Sequence, residues 1–138
     1  LRNSSAASDV YKRQSLEKSD NPSVVNISSI AGIKGIGSSL AYGCSKGALN
    51  TMTMSMARNL GPIRVNAICP GFIQGEWLKN GMGDDLYNAA LKNLTQNTPL
   101  NLTVTPDQVA QGIYSFIGIN KVVTGETMLM DGGHHLII

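Results

Sequence analysis

Two short β-branched runs flank one long segment with helical spacing, and this pattern sets the frame of the chain. Ser23 to Ser28 reads SVVNIS, a parallel strand buried in a sheet. From Ser39 to Leu60, apolar residues Ala41, Ala48, Leu49, Met52, Met56, Ala57 and Leu60 recur at three- and four-residue steps. That spacing predicts a helix, stopped by Gly61-Pro62. Met52, Met54 and Met56 are read as core or subunit contacts rather than as a soft metal site. Gly43, Gly47 and Ala48 would let another element come close. Ile63 to Cys69 is the second strand, ended by Pro70-Gly71. Strand, helix and strand make a βαβ unit of an α/β fold.

Residues 72–105 give mixed signals. Phe72 to Leu78 leaves the strand, Gly81 and Gly83 interrupt, and Asp84 to Leu94 is weakly amphipathic. A long excursion of this kind reads as a lid or binding loop, with Trp77 as either a substrate contact or an anchor. Thr105-Pro106-Asp107 then opens a helix, with threonine as cap, proline in the first turn and an acid at the positive end of the dipole. Val109, Ile113, Phe116 and Ile117 give that helix its apolar face, and Gly118 and Asn120 mark its end. Residues 122–133 carry a loop, a third strand and the glycine turn Asp131-Gly132-Gly133. His134 and His135, on a strand, would point to opposite sides and share no metal.

Composition narrows the class. The chain has 138 residues, 42% hydrophobic and 14% charged, with 15 glycines and a net charge of +2, which suits a globular α/β domain. No basic patch with interleaved aromatics favours nucleic acid, and no apolar run approaches a membrane span. Cys44 and Cys69 form no CxxC pair. Sequons at Asn3, Asn26, Asn93 and Asn101 are read as chance matches, because no secretory signal pattern precedes them. The location expected is cytoplasmic. Residues 1–14 differ from the rest, and DVYKRQ resembles the translation of a transposon end used in sequencing libraries. They are set apart as a non-native segment, the alternative being a frayed helix end, and residues 15–138 are taken as part of one domain. Residues 15–22 read as a helix tail or loop.

The candidate chemistry lies between Ser29 and Lys46. Tyr42 and Lys46 are four residues apart, one turn of helix, so they share a face. An ammonium beside a phenol favours the phenolate, and a tyrosine so placed can pass a proton to or from a carbonyl oxygen. Ser29, thirteen residues upstream of Tyr42, falls at the C-terminal end of a parallel strand, where ligands bind in open sheets. Gly32, Gly35 and Gly37 fail the GxGxxG pattern because position 40 is leucine. They read as a flexible loop that lets Ser29 and Tyr42 converge.

Five features in order carry a resemblance. They are VVNISS with Ser29, Tyr42-Gly43-Cys44-Ser45-Lys46, RVNAICPGF at 64–72, TPDQVA at 105–110 and TGETMLMDGGHHL at 124–136. The chain resembles the C-terminal part of a classical short-chain dehydrogenase/reductase. The resemblance implies a partial Rossmann-type doubly wound parallel sheet, comprising its last three strands with the intervening helices. It implies an NAD(P)-dependent oxidoreductase interconverting an alcohol and a ketone, with no choice between NAD and NADP. Tyr42 would be the acid/base, Lys46 would hold the nicotinamide ribose and act on the tyrosine, and Ser29 would orient the substrate oxygen. Pro70, Gly71 and Ile73 would line the nicotinamide. The whole enzyme would be a homodimer or homotetramer acting on a small molecule.

The chain also departs from the family. The glycine-rich pyrophosphate loop and the first strands have no counterpart, so the chain reads as a fragment inactive by itself. The catalytic asparagine is not assigned: Asn3 lies in the suspect segment, and Asn26 is read as structural. Gly75 stands where many relatives have threonine, which makes Trp77 a substrate-side candidate. The competing reading is a non-catalytic nucleotide-binding or scaffolding relative on the same fold.

Overall fold

The computed structural model describes residues 12–137. Three strands, β1 (Ser23–Ile27), β2 (Arg64–Pro70) and β3 (Thr127–Met130), form one parallel sheet in the order β1-β2-β3. Val25 pairs with Asn66 and Ile27 with Ile68, and on the other side Ile68 pairs with Met128 and Pro70 with Met130. The expected α/β architecture with parallel pairing is present.

β2 is the centre, and all seven of its residues are buried. Its apolar side chains join Val104, Val109 and Phe116 in the core, with Val25, Ile73, Ile113, Met128 and Met130 packed around them. Its polar residues are satisfied. Asn66 Nδ2 donates to Val123 O at 3.0 Å, while its Oδ1 accepts the Glu126 N–H at 3.0 Å. Thr124 Oγ1 accepts the Val65 N–H at 3.0 Å. These contacts dock the loop before β3 onto β2. Arg64, also buried, donates to the Asn120 and Ile117 carbonyls at 2.9 and 3.3 Å and to Asn21 Oδ1 at 3.1 Å. It closes the end of the sheet remote from the strand C-termini.

The helices are α1 (Ala31–Lys34), α2 (Leu40–Asn59), α3 (Glu76–Met82), α4 (Asp84–Asn97) and α5 (Pro106–Tyr114), followed by a π-helical turn, Ser115–Ile119. α2 starts where expected, with Ser39 Oγ accepting the Tyr42 N–H at 3.2 Å. α5 carries the expected threonine cap as a full capping box. Thr105 Oγ1 accepts the Gln108 N–H at 3.3 Å, and the glutamine side chain accepts the Thr105 N–H at 2.9 Å. The π-helical turn carries this segment to Ile119, so its end falls between the two residues expected to mark it.

Several expectations are corrected. The glycine segment after Ser29 is not a plain loop: Ala31–Lys34 is one helical turn, closed by Gly35 in the left-handed conformation at φ 69°. The α2 methionines, read as core or subunit contacts, do not fill the core. Thr53 is the one buried residue of α2, and Met52 and Met54 are 47% and 53% exposed. Thr53 accepts from Asn26 Nδ2 at 2.9 Å, so Asn26 is structural, as read. β1 is half-buried rather than fully buried, because it is the edge strand among the described residues. His134–Leu136 is a 3-10 turn rather than strand. Residues 76–82, given no element, form α3.

Residues 1–11, most of the segment set apart as non-native, lie outside the described residues; residues 12–16 are helical. Lys12, Arg13 and Leu16 line a groove of about 590 Å³ with Val24, Asn26, Met52 and Met56.

Candidate active site

The site lies at the C-terminal ends of β1 and β2, where the first turn of α2 returns over the sheet. Ser28 and Ser29 leave β1 buried, at 4% and 9% exposure. The Ser28 N–H continues the ladder to Ile68 O at 2.8 Å, and its hydroxyl donates to Lys46 O at 3.1 Å. Ser29 Oγ accepts the Ala31 N–H at 3.1 Å. That bond orients the Ser29 oxygen and leaves its proton free to donate elsewhere.

Tyr42 and Lys46 share one face of α2, as their spacing requires. The Lys46 ammonium lies 5.7 Å from the centre of the Tyr42 ring and donates to Ile27 O at 2.8 Å. Gly37, at φ 125°, lets the tyrosine ring pack against the loop, since a Cβ there would lie 3.2 Å from the ring edge. α1 and α2 meet at Gly32, where a Cβ would fall 2.6 Å from Gly47 N and 2.7 Å from Lys46 O. The tyrosine–lysine face is thus set by backbone contact as well as by Ser28. Among the described residues, no hydrogen bond joins Ser29 to Tyr42.

The second wall is the loop after β2. Pro70 O accepts the Ile30 N–H at 3.1 Å, which ties this loop to the residue after Ser29. The Gly71 N–H donates to Met130 O at 2.9 Å, and a Cβ at Gly71 would lie 2.7 Å from that of Asp131. Ile73 forms a bridge with Val104 through its neighbours: Val104 N donates to Phe72 O at 3.1 Å, and Gln74 N donates to Val104 O at 2.8 Å. The Ile73 N–H and C=O therefore face away from residue 104, and neither has a backbone partner among the described residues. Beyond it, Tyr87 of α4 is buried, stacks at 5.5 Å on Phe72 and accepts the Gly75 N–H at 3.2 Å. Trp77 on α3 is 87% exposed.

Spacing alone did not show that Cys69 and Asn50 back the site. Cys69, fully buried at the end of β2, donates from Sγ to Asn50 Oδ1 at 3.5 Å. Burial pushes its thiol above the ordinary 9.0, against Ser28, the Ser29 backbone, Lys46 and Asn50, which favour the thiolate. Asn50 follows Lys46 by one helical turn, and that periodicity was the available signal. No cluster of metal-ligating side chains occurs among the described residues, and none of their helices is long and apolar enough to cross a membrane.

The parallel sheet, with a serine just past one strand end and a tyrosine–lysine face on α2, has the architecture of a Rossmann-type fold. The chain belongs to the short-chain dehydrogenase/reductase family, and a family model described as Enoyl-(Acyl carrier protein) reductase matches residues 4–135. The short-chain dehydrogenase/reductase homolog YusR of Bacillus subtilis is 34% identical over 122 residues, which cover 88% of this chain and 89% of YusR. The 3-oxoacyl-[acyl-carrier-protein] reductase FabG of Thermotoga maritima is 36% identical, over 84% of this chain and 46% of the relative. A solved small-chain dehydrogenase in complex with NADPH superposes with a TM-score of 0.79 at 26% identity, over 86% of this chain and 53% of that one. YusR apart, the chain spans about half the length of the curated relatives it matches.

Proposed function

We propose that this chain carries the proton-relay end of an NAD(P)-dependent site that interconverts an alcohol and a ketone. The observation that carries the reading is the placement of Lys46. Its ammonium is fixed on a strand-end carbonyl beside Ser28 and Ser29 and stands next to the Tyr42 ring, so three hydrogen-bonding groups share one end of the sheet. The residues fit the nicotinamide half of a dinucleotide. Ile73 offers an N–H and C=O with no backbone partner among the described residues to a carboxamide, and Lys46 offers donors to a ribose. When bound, the nicotinamide supplies or accepts the hydride.

The chain's own residues manage the proton. Tyr42 Oη gives a proton to the carbonyl oxygen in reduction and takes it back in oxidation. Lys46 places its positive charge beside the Tyr42 ring, 5.7 Å from the ring centre. Ser29, oriented by the Ala31 N–H, donates to the same substrate oxygen and holds it toward Tyr42. The NADPH and NADP named for two solved relatives support this cofactor class. The relatives named as 3-oxoacyl-[acyl-carrier-protein] reductases support a carbonyl substrate.

The test is Tyr42→Phe in the complete enzyme. Turnover is expected to fall by about 10²- to 10⁴-fold, the range for loss of a general acid/base, with cofactor affinity unchanged. Undiminished turnover would sink the assignment. The 138-residue chain assayed alone is expected to show no turnover and no tight NADH binding.

A further inference from the structure

We propose that His135 is a positioning residue for the Pro70–Ile73 loop, acting through the buried carboxylate of Asp131. Asp131 directly follows β3, and its side chain is 3% exposed. A carboxylate so buried needs donors, and here it has three. The Gly133 N–H reaches Oδ1 at 3.0 Å, the His135 N–H reaches Oδ2 at 2.7 Å, and the His135 ring nitrogen Nδ1 lies 2.9 Å from both oxygens. An ionised carboxylate can only accept, so Nδ1 carries the proton. Among the described residues, His135 is thus the one side chain that holds this carboxylate in its turn.

The same residue is the floor of the loop. A Cβ at Gly71 would touch both Cβ and Cα of Asp131, at 2.7 and 3.2 Å. Gly71 N bonds to the carbonyl of the preceding residue, Met130, at 2.9 Å, and Pro70 pairs with Met130 across the sheet. Rotation of the Asp131 backbone would therefore shift Gly71, and with it Ile73. The turn also meets the segment after α4, since Gly132 O accepts the Leu100 N–H at 3.1 Å. The imidazole is partly exposed, with the side chain at 26%, so solvent can protonate it. A change in its protonation changes the charge directly beside the buried carboxylate. The titratable groups on this turn are Asp131, His134 and His135. The segments packed against it, residues 70–72 and 99–102, carry none.

The inference rests on the nicotinamide-facing role of the loop for its meaning, but its test does not depend on turnover. Amide resonances of Gly71, Ile73 and Gly133 in the 138-residue chain are followed through the titration of His135. They are expected to move with the His135 midpoint. His135→Ala is expected to abolish that movement and to reduce hydrogen-exchange protection of the Gly71 amide by about tenfold, the scale of one lost hydrogen bond. His135→Asn, which places a side-chain N–H near the Nδ1 position, is expected to restore the protection without the titration. His134→Ala is expected to change neither. Gly71 and Ile73 amides indifferent to His135, or following His134 instead, would overturn the proposal. Failure of the oxidoreductase reading would appear separately, as turnover that survives Tyr42→Phe.

Discussion

β2 and α2 are neighbours built on opposite principles. β2 buries all seven of its residues and draws Val104, Val109 and Phe116 around it. α2 is 20 residues long and buries one, a threonine. Leu40, Met52 and Met54 face outward from it at 86%, 47% and 53% exposure. The strand is held by removal of apolar surface from water. The helix is held by Asn26 on Thr53, Ser28 on the Lys46 carbonyl, Lys46 on the Ile27 carbonyl, and the bare backbone at Gly32. Hydrogen bonds and close backbone contact are directional where apolar burial is not, so they fix register. The candidate catalytic pair sits on the element whose placement is directional, while the general stability of the fold sits on the other.

Two substitutions separate these roles. Phe116→Ala removes the largest fully buried side chain and is expected to destabilise the chain by about 3–5 kcal/mol. Thermal or denaturant unfolding measures it, and a loss below about 1 kcal/mol would break the assignment of the core to this side of β2. Gly32→Ala places a methyl against the backbone of Lys46 and Gly47, which cannot rotate away as a side chain could. Its expected cost is smaller, about 1–3 kcal/mol, the range for overpacking. Its signature differs: the amides of residues 42–47 should shift while those of β2 stay in place. Shifts spread evenly over the sheet would show that α2 is not separately held.

The sequence allowed the sheet to be read more fully than the helix packing. β2 and the cap of α5 were legible because strand composition and capping chemistry are local. How far α2 is covered was not legible, because a helical period tells which residues share a face, not whether anything covers it. Ala41, Ala48 and Met52 share spacing, but all three are exposed. The helical turn at Ala31–Lys34 was hidden by its glycines, since Gly35 closes the turn that it seemed to forbid. Of the six candidate site residues, Tyr42 and Lys46 fall on one helix face and Ser29 at a strand end, as their spacing suggested. The links that fix them, from Ser28 to the Lys46 carbonyl and from Cys69 to Asn50, cross between elements and leave no mark in local spacing. The buried Arg64 is a similar case, because its carbonyl partners lie more than fifty residues away.

The smallest effect tests the seam between the two regions, where Cys69 of β2 meets Asn50 of α2. Burial raises this thiol above its ordinary 9.0 despite the groups around it that favour the thiolate. The folded chain therefore holds the thiol proton more tightly than the unfolded chain does. Below pH 9.0 both states keep that proton, and the contribution to stability is fully present. As pH rises toward and through the folded-state value, the unfolded chain releases it first, and stability falls. Cys69→Ala removes this term, so the variant should lose stability less steeply than the parent chain on the alkaline side of pH 9.0. The other ionisable groups are common to both proteins and cancel in the comparison. Unfolding free energies measured across that window provide the check. Parallel curves would mean that the thiol is already solvated in the fold, and that α2 does not seal the end of β2.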